Sequence, residues 1–424
     1  MTQQHWTNRN PDHSELQKEP KKSVLSRRRL IGGAMVVAGV GASYPLWTGD
    51  SPSNIVEAQG TPETLDSTLR FSTSGWNTDF TKHSVPLSEI RSGGPPRDGI
   101  PPIDEPAYVS IADADQWLQP LEPVIAIEHS GNAGSQARAY PLQIMVWHEI
   151  VNDMLADEPV LVTFCPLCNT AIAFDRRLPG DPTIYDFGTI GNLRFSDLVM
   201  WDRQTESWWQ QITGEAIVGE LTGQVLVQIP AQILGWEAFK EAYPDGNVLS
   251  RETGFSRQYG SNPYAGYDDV NSSPFLFEGD QDGRLAPMER VVGFVLDDLS
   301  FAYPLPVPPK EKAVNQRAGE RDIVLFFAPG SQSALDAADI IESRDVGQVG
   351  VFDRVIDGQV LSFRNAGDGQ FQDEETGTTW NVVGAGVAGE LEGRTLASLA
   401  HTVVFWFAWA AAYPDTQLWL HDDA

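Results

Sequence analysis

The chain has 424 residues, with 29 Lys and Arg set against 58 Asp and Glu and a formal net charge of −29. A nucleic-acid partner is excluded because the basic footprint is missing, while 41% apolar residues, among them 13 Trp, 19 Phe and 10 Tyr, suffice for a sizeable core. The acids are spread along the chain and form no tail, which implies a solvated acidic surface best tolerated where salt screens it, as in a salt-loving archaeon.

Taken from the N-terminus, a basic cluster (Lys21, Lys22, Arg27 to Arg29) precedes an apolar run from Leu30 to about Ala42. That is the anatomy of a signal peptide, and Ser26-Arg27-Arg28 matches the twin-arginine export signal. An uncleaved N-terminal membrane anchor is the alternative. Val40 and Ala42, or Val56 and Ala58, fit small-residue cleavage. Either way the expected location is extracytoplasmic, with membrane retention through this segment as the one partner the N-terminus implies. Residues 1–42 carry seven Lys and Arg against three acids, so the remainder carries 22 against 55.

Residues 43–75 read as a linker. Past residue 120 no apolar run reaches the roughly 18 to 20 residues a bilayer requires. The richest, Val403 to Tyr413, reads as a buried helix. Ser92 to Asp104 (SGGPPRDGIPPID) reads as a stiff connector, able to cap a cleft through Arg97 and Asp98.

Two stretches of the chain align with two later ones. Gly214–Asp245 lies over Gly384–Asp415 without a gap, with 12 identities in 32 positions. Ala139 to Leu142 (AYPL) lies over Ala302 to Leu305, and VLVTFCPLC over IVLFFAPGS; FDR recurs at Phe174 and Phe352. Each copy reads as a strand (VIAIEH; VVGFVL), then AYPL, a second strand (VLVTF; IVLFF), short strands and Gly turns, and a helix ending at YPD. The expected fold is α+β and mainly β, with two pseudo-symmetric repeats packed as one globular unit. The first copy falls in 76–250, the second in 290–424, and a polar connection spans 251–289.

Cys165 and Cys168, at the end of VLVTF, are the only cysteines. In the second copy they fall on Ala328 and Ser331, so the turn itself does not require thiols. A disulfide across two residues removes little unfolded-state entropy, which weakens a structural reading. A redox dithiol is open, because close C-x-x-C pairs exchange readily. Metal binding is open as well, since C-x-x-C supplies two soft ligands from one turn. For further ligands the sequence offers QIMVWHEIVND, Gln143 to Asp153. Ile144, Trp147, Val151 and Met154 recur at helical spacing there, placing His148 and Asn152 side by side. His148 falls on Glu311 in the second copy and vanishes together with both cysteines, so His148, Cys165 and Cys168 are the candidate ligands, with Met200 or Glu149 in addition. Copper or zinc is the implied metal. Asp197 and Asp202 are expected to pair with Arg194 or Arg203, and His401 to be a core residue in the last helix. No nucleophile elbow, phosphate loop or H-E-x-x-H is present, which excludes a zinc protease of that type.

WNTDFTKHSVPLSEIRSGGPPRDGIPPIDEP, WHEIVND, TFCPLCNTAIAFDR, SDLVMWDRQTESWWQ and FWFAW together resemble a domain-of-unknown-function family of exported bacterial and archaeal proteins, from about Trp76 to Trp419. The resemblance implies that His148, Glu149, Cys165, Cys168, Asp175 and Arg176 belong to the family's signature, and it implies no activity. The sequence thus points to an exported metal-binding protein concerned with metal handling or electron transfer. A thiol–disulfide oxidoreductase, with Cys165 as nucleophile and Cys168 as resolving thiol, and a cell-surface binding or structural protein stand as alternatives.

Overall fold

Val160 to Phe164 is an unbroken β-branched and aromatic run, the pattern of a strand buried on both faces, and it becomes the centre of a sheet. A computed structural model describes residues 69–305 and 312–420. The chain divides into Met1–Pro52 and Ser53–Ala424, and every described residue belongs to the second unit. The expected leader, 1–42, lies outside the described residues. Among those described, no helix is long and apolar enough to cross a membrane.

The fold is mainly β with short helices. One sheet has the order β13-β3-β4-β14-β2 (Gln232–Gly235, Pro123–Gly131, Gly134–Pro141, Asn247–Leu249, Tyr108–Ser110), with β14 parallel to β4. The next runs β12-β7-β6-β5 (Gln228–Ile229, Thr170–Asp175, Glu158–Cys165, Ile150–Leu155). A third runs β1-β8-β9-β10-β11 (Ile90–Ser92, Phe187–Arg194, Asp197–Asp202, Trp208–Gln210, Glu215–Val218).

Beyond residue 289 a sheet runs β27-β15-β16-β28 (Thr402–Phe405, Arg290–Leu296, Leu299–Pro304, Gln417–Leu418), again with its last strand parallel to its neighbour. Another runs β17-β18-β19-β26 (Ala313–Ala318, Arg321–Ala328, Gln348–Asp353, Ala397–Ser398). A further sheet runs β22-β23-β24-β25 (Phe363–Gly367, Gln370–Asp373, Thr379–Trp380, Gly386–Ala388), and β20-β21 (Val355–Ile356, Gln359–Val360) forms a separate hairpin. The helices are α1 (Ile111–Ala114), α2 (Leu142–His148), α3 (Trp236–Ala242) and α4 (Trp406–Ala412). Residues 251–289 hold no named helix or strand, yet Tyr259, Tyr264, Tyr267 and Phe277 from that stretch pack on the core.

The helical reading of Gln143 to Asp153 holds only as far as His148. Glu149 turns into the left-handed region at φ 59°, and Ile150 and Val151 pair with Thr163 and Val162. Two β-branched residues gain more from a buried sheet than from another helical turn. Asn152 therefore sits on a strand and not beside His148. For the same reason Val403 to Tyr413 divides into β27 and α4, and His401 precedes β27 instead of lying in a helix. Its Nδ1 meets Leu399 O at 2.7 Å, buried as a core histidine.

The pairing of Asp197 and Asp202 with Arg194 or Arg203 also differs from expectation. Arg194 bonds Glu89 and Gln210, whereas Arg203 reaches Asp104. Buried Asp202 instead receives Trp209 Nε1 at 2.9 Å and Thr205 N at 2.6 Å. Asp373 receives Trp380 Nε1 at 2.9 Å and Thr376 N at 2.6 Å in the same manner. Arg97 lies over the rings of Trp76 and Trp201 at 3.4 and 4.2 Å, which makes Ser92 to Asp104 a pinned connector. Asp202→Ala strands the Trp209 and Thr205 donors, and the expected loss is about 2–4 kcal/mol. Urea unfolding of wild type and variant checks this, with an unchanged midpoint as the contrary result.

Candidate metal centre

The two cysteines occupy the β6–β7 hairpin turn. Cys165 pairs with Thr170 across it, Cys168 N donates to Cys165 O at 3.2 Å, and Asn169 adopts φ 58°, a conformation asparagine tolerates well. Distant chain clamps the turn from outside. Phe405 N donates to Cys168 O at 2.9 Å, and Asn169 Nδ2 to Val403 O at 3.0 Å. Both thiols are free and buried.

A second tight hairpin, β8–β9, brings the third member. Phe195 and Ser196 both have positive φ (53° and 65°), the backbone a two-residue hairpin loop requires. Ser196 O then lies 3.4 Å from Cys168 Sγ and 3.9 Å from Cys165 Sγ. The next residue, Asp197, places its carboxylate so that the ligand atoms of Cys165, Cys168 and Asp197 all lie within 4.8 Å of one another. One carboxylate oxygen accepts Ile212 N at 3.0 Å, while Oδ1 is buried without a partner. An acceptor left so is expensive unless something else binds it.

Burial dominates the electrostatics. It pushes the Asp197 carboxyl up to about 7 against the opposing pull of Ile212 N–H, Gln210, the Cys168 thiol and the Arg194 charge. It drives the Cys168 thiol well above its usual range, with Cys165 and Asp197 adding to the rise. Two thiolates and a carboxylate would place three negative charges in one buried site, relieved only in part by Arg194, whose guanidinium is already bonded to Glu89 and Gln210. Such a set either keeps protons or holds a cation.

His148 is not in this group. It ends α2 fully buried, with Nδ1 at 2.8 Å from Pro101 O and Nε2 at 2.7 Å from Tyr259 OH, and burial lowers its pKa. Because the chain turns into β5 at Glu149, the imidazole is carried to Tyr259 instead. Glu149 stays nearer the thiols. Its carbonyl accepts Phe164 N at 2.8 Å, and Tyr264 senses both its carboxyl and Cys165. Burial alone pushes that carboxyl up to about 8. Met200 lies on β9 opposite Trp209 and Thr189, within the apolar cluster that also contains the two cysteines.

Asp175 and Arg176 serve the frame. Asp175 pairs with Arg177 at 2.7 Å, while Arg176 donates to Tyr185 O at 2.8 Å. Asp197 is the residue that sequence reasoning passed over as a ligand. The available signal was its place directly after Arg194-Phe195-Ser196, the turn of a hairpin.

No curated protein and no solved structure matches the chain. Residues 97–416 match the family described as protein of unknown function (DUF3179), and the chain belongs to that family.

Proposed function

We propose that this is an exported metal-binding protein that handles a transition metal through Cys165, Cys168 and Asp197. The observation that carries the reading is the convergence of two thiols and an unpartnered carboxylate oxygen in one buried site. Two soft sulfurs with one carboxylate suit zinc better than copper(I), because zinc accepts both donor types and copper(I) prefers sulfur alone. Three protein ligands leave one tetrahedral position free, the arrangement of a site that passes its metal on or exposes it to a small molecule.

Export by the twin-arginine route, with or without retention by the N-terminal segment, rests on residues 21–42. Descent from a duplicated unit is part of this reading. Its support is the shared strand order β13-β3-β4-β14 and β27-β15-β16-β28, and the matched Asp202–Trp209 and Asp373–Trp380 pairs. On that reading the metal site belongs to the first unit alone.

The test is metal analysis of protein purified from its native host, with Cys165→Ser, Cys168→Ser and Asp197→Asn alongside. Wild type should carry close to one metal equivalent and either cysteine variant almost none. A chelator should lower the melting temperature of wild type and leave the cysteine variants unmoved, because the metal binds the native state.

A thiol–disulfide oxidoreductase is the second reading, favoured by the Asp197 carboxyl beside Cys168, placed to take its proton. In that case Cys168→Ser should trap a mixed disulfide on Cys165. Exchange needs access to a sulfur, and both sulfurs are buried, which is why metal binding stands first. Metal-free protein whose thiols cycle reversibly would reverse the order.

A further inference from the structure

A cavity of about 870 Å³ opens beside β15, β18 and β27, within the size range of small-molecule sites. Its apolar wall includes Met288, Phe327, Val349 and Val403. Two features set it apart from a packing defect. The side chains of Lys312 and Glu289 line it with no ion-pair or hydrogen-bond partner among the described residues, in a protein where most other charged side chains near the cavity are spoken for. Deeper in the same wall, buried Asp268 takes Arg290, Ser333 and Arg344 on one carboxylate oxygen, while its Oδ1 and the Nε of Arg290 have no partner. The wall therefore offers one unused acceptor, Glu289, and one unused donor, Lys312, around an apolar volume, with the Asp268–Arg290 pair buried behind it.

We propose that this cavity binds a small amphipathic zwitterion, an amine and a carboxylate on an apolar body, of which a short apolar peptide is the simplest form. The carboxylate is recognised by Lys312, the ammonium by Glu289, and the apolar part by the Phe327 and Val403 side of the wall. A single free cation would select anions and a single free carboxylate would select amines. The presence of both, unpaired, selects a ligand carrying both. The site is distinct from the thiol centre, although the two back onto one strand: Val403 lines the cavity, and Phe405 N–H holds the Cys168 carbonyl. The proposal does not rest on metal binding there.

The experiment is calorimetric titration of the full chain with the dipeptide Leu-Phe, its N-acetyl form and its C-terminal amide, at the salt concentration used for purification. The free dipeptide should bind, and capping either end should weaken it at least tenfold, the worth of one charge-assisted hydrogen bond. Lys312→Met should lose the discrimination against the amide, and Glu289→Gln that against the N-acetyl form. Both positions are only half-buried, so the fold should persist, checked by an unchanged melting temperature and unchanged metal content. No binding, equal binding of capped and free peptide, or binding indifferent to both substitutions would each overturn the proposal.

Discussion

Asp153→Ala is expected to remove about 3–5 kcal/mol of stability, the scale for stranding one partner of a buried ion pair. Asp153 receives Arg138 Nη1 at 2.6 Å, with side-chain exposures of only 2% and 7%, and the hydroxyls of Tyr108 and Tyr140 complete its shell. Arg138 also lies 3.8 Å over the Tyr108 ring. Removing the carboxylate leaves a desolvated guanidinium without its counter-ion, holding only Met154 O, and two phenols without their acceptor. The double variant Arg138→Met/Asp153→Ala should recover part of the loss, because the uncompensated charge goes with it. Urea midpoints of wild type, the single variant and the double variant measure both effects. A single-variant loss under about 1 kcal/mol would mean that water reaches Arg138.

The metal-free protein should become less stable as pH rises from about 4 to 8. Asp197 holds its proton to about 7 in the folded chain and Glu149 to about 8, both through burial. Unfolded, both release it near pH 4. Between those values the native state binds more protons than the unfolded chain, so stability declines with rising pH. The contribution of Asp197 alone is bounded at about 4 kcal/mol, three pH units of differential protonation. Asp197→Asn should reduce the slope between about pH 4 and 7, and Glu149→Gln should reduce it across almost the whole window, including the stretch above about 7 where Asp197 no longer contributes. This separates them from general acidic repulsion, which neither variant alters much. Melting curves in chelator across the window provide the measurement, and a slope identical in wild type and both variants would show that neither group titrates there. Asp268 acts with the opposite sign below this window. Burial works against it, but Arg290 and Arg344 outweigh that and hold its carboxyl low, so its contribution is lost only in acid.

Much of the frame is written locally. Runs such as Val160 to Phe164 and Ile323 to Phe327 are apolar and β-branched for the length of a strand, and burial of such runs needs no further information to make them sheet centres. The Cys165 to Asn169 turn is equally legible, since proline and asparagine supply the backbone angles and the thiols follow from their spacing. Ala328 to Ser331, which the sequence aligns with that turn, instead leaves β18 on a long connection to β19, with Ser331 N–H donated to Asp345.

Where sequence reading went astray, the deciding forces act across long separations. The helical spacing of Ile144, Trp147, Val151 and Met154 is real, yet Ile150 and Val151 are claimed by β6, and a helix cannot continue once its residues are paired in a sheet. That one turn at Glu149 sends His148 to Pro101 and Tyr259. Asp197 joins the cysteines only because a second hairpin closes beside the first, and nothing in the spacing between residues 168 and 197 encodes that approach. The sequence by itself determined a mainly β chain, a twin-thiol turn and the pair of candidate sulfurs. The tertiary structure decided the third ligand, because which carboxylate is buried beside a thiol depends on how two sheets pack and not on local propensity.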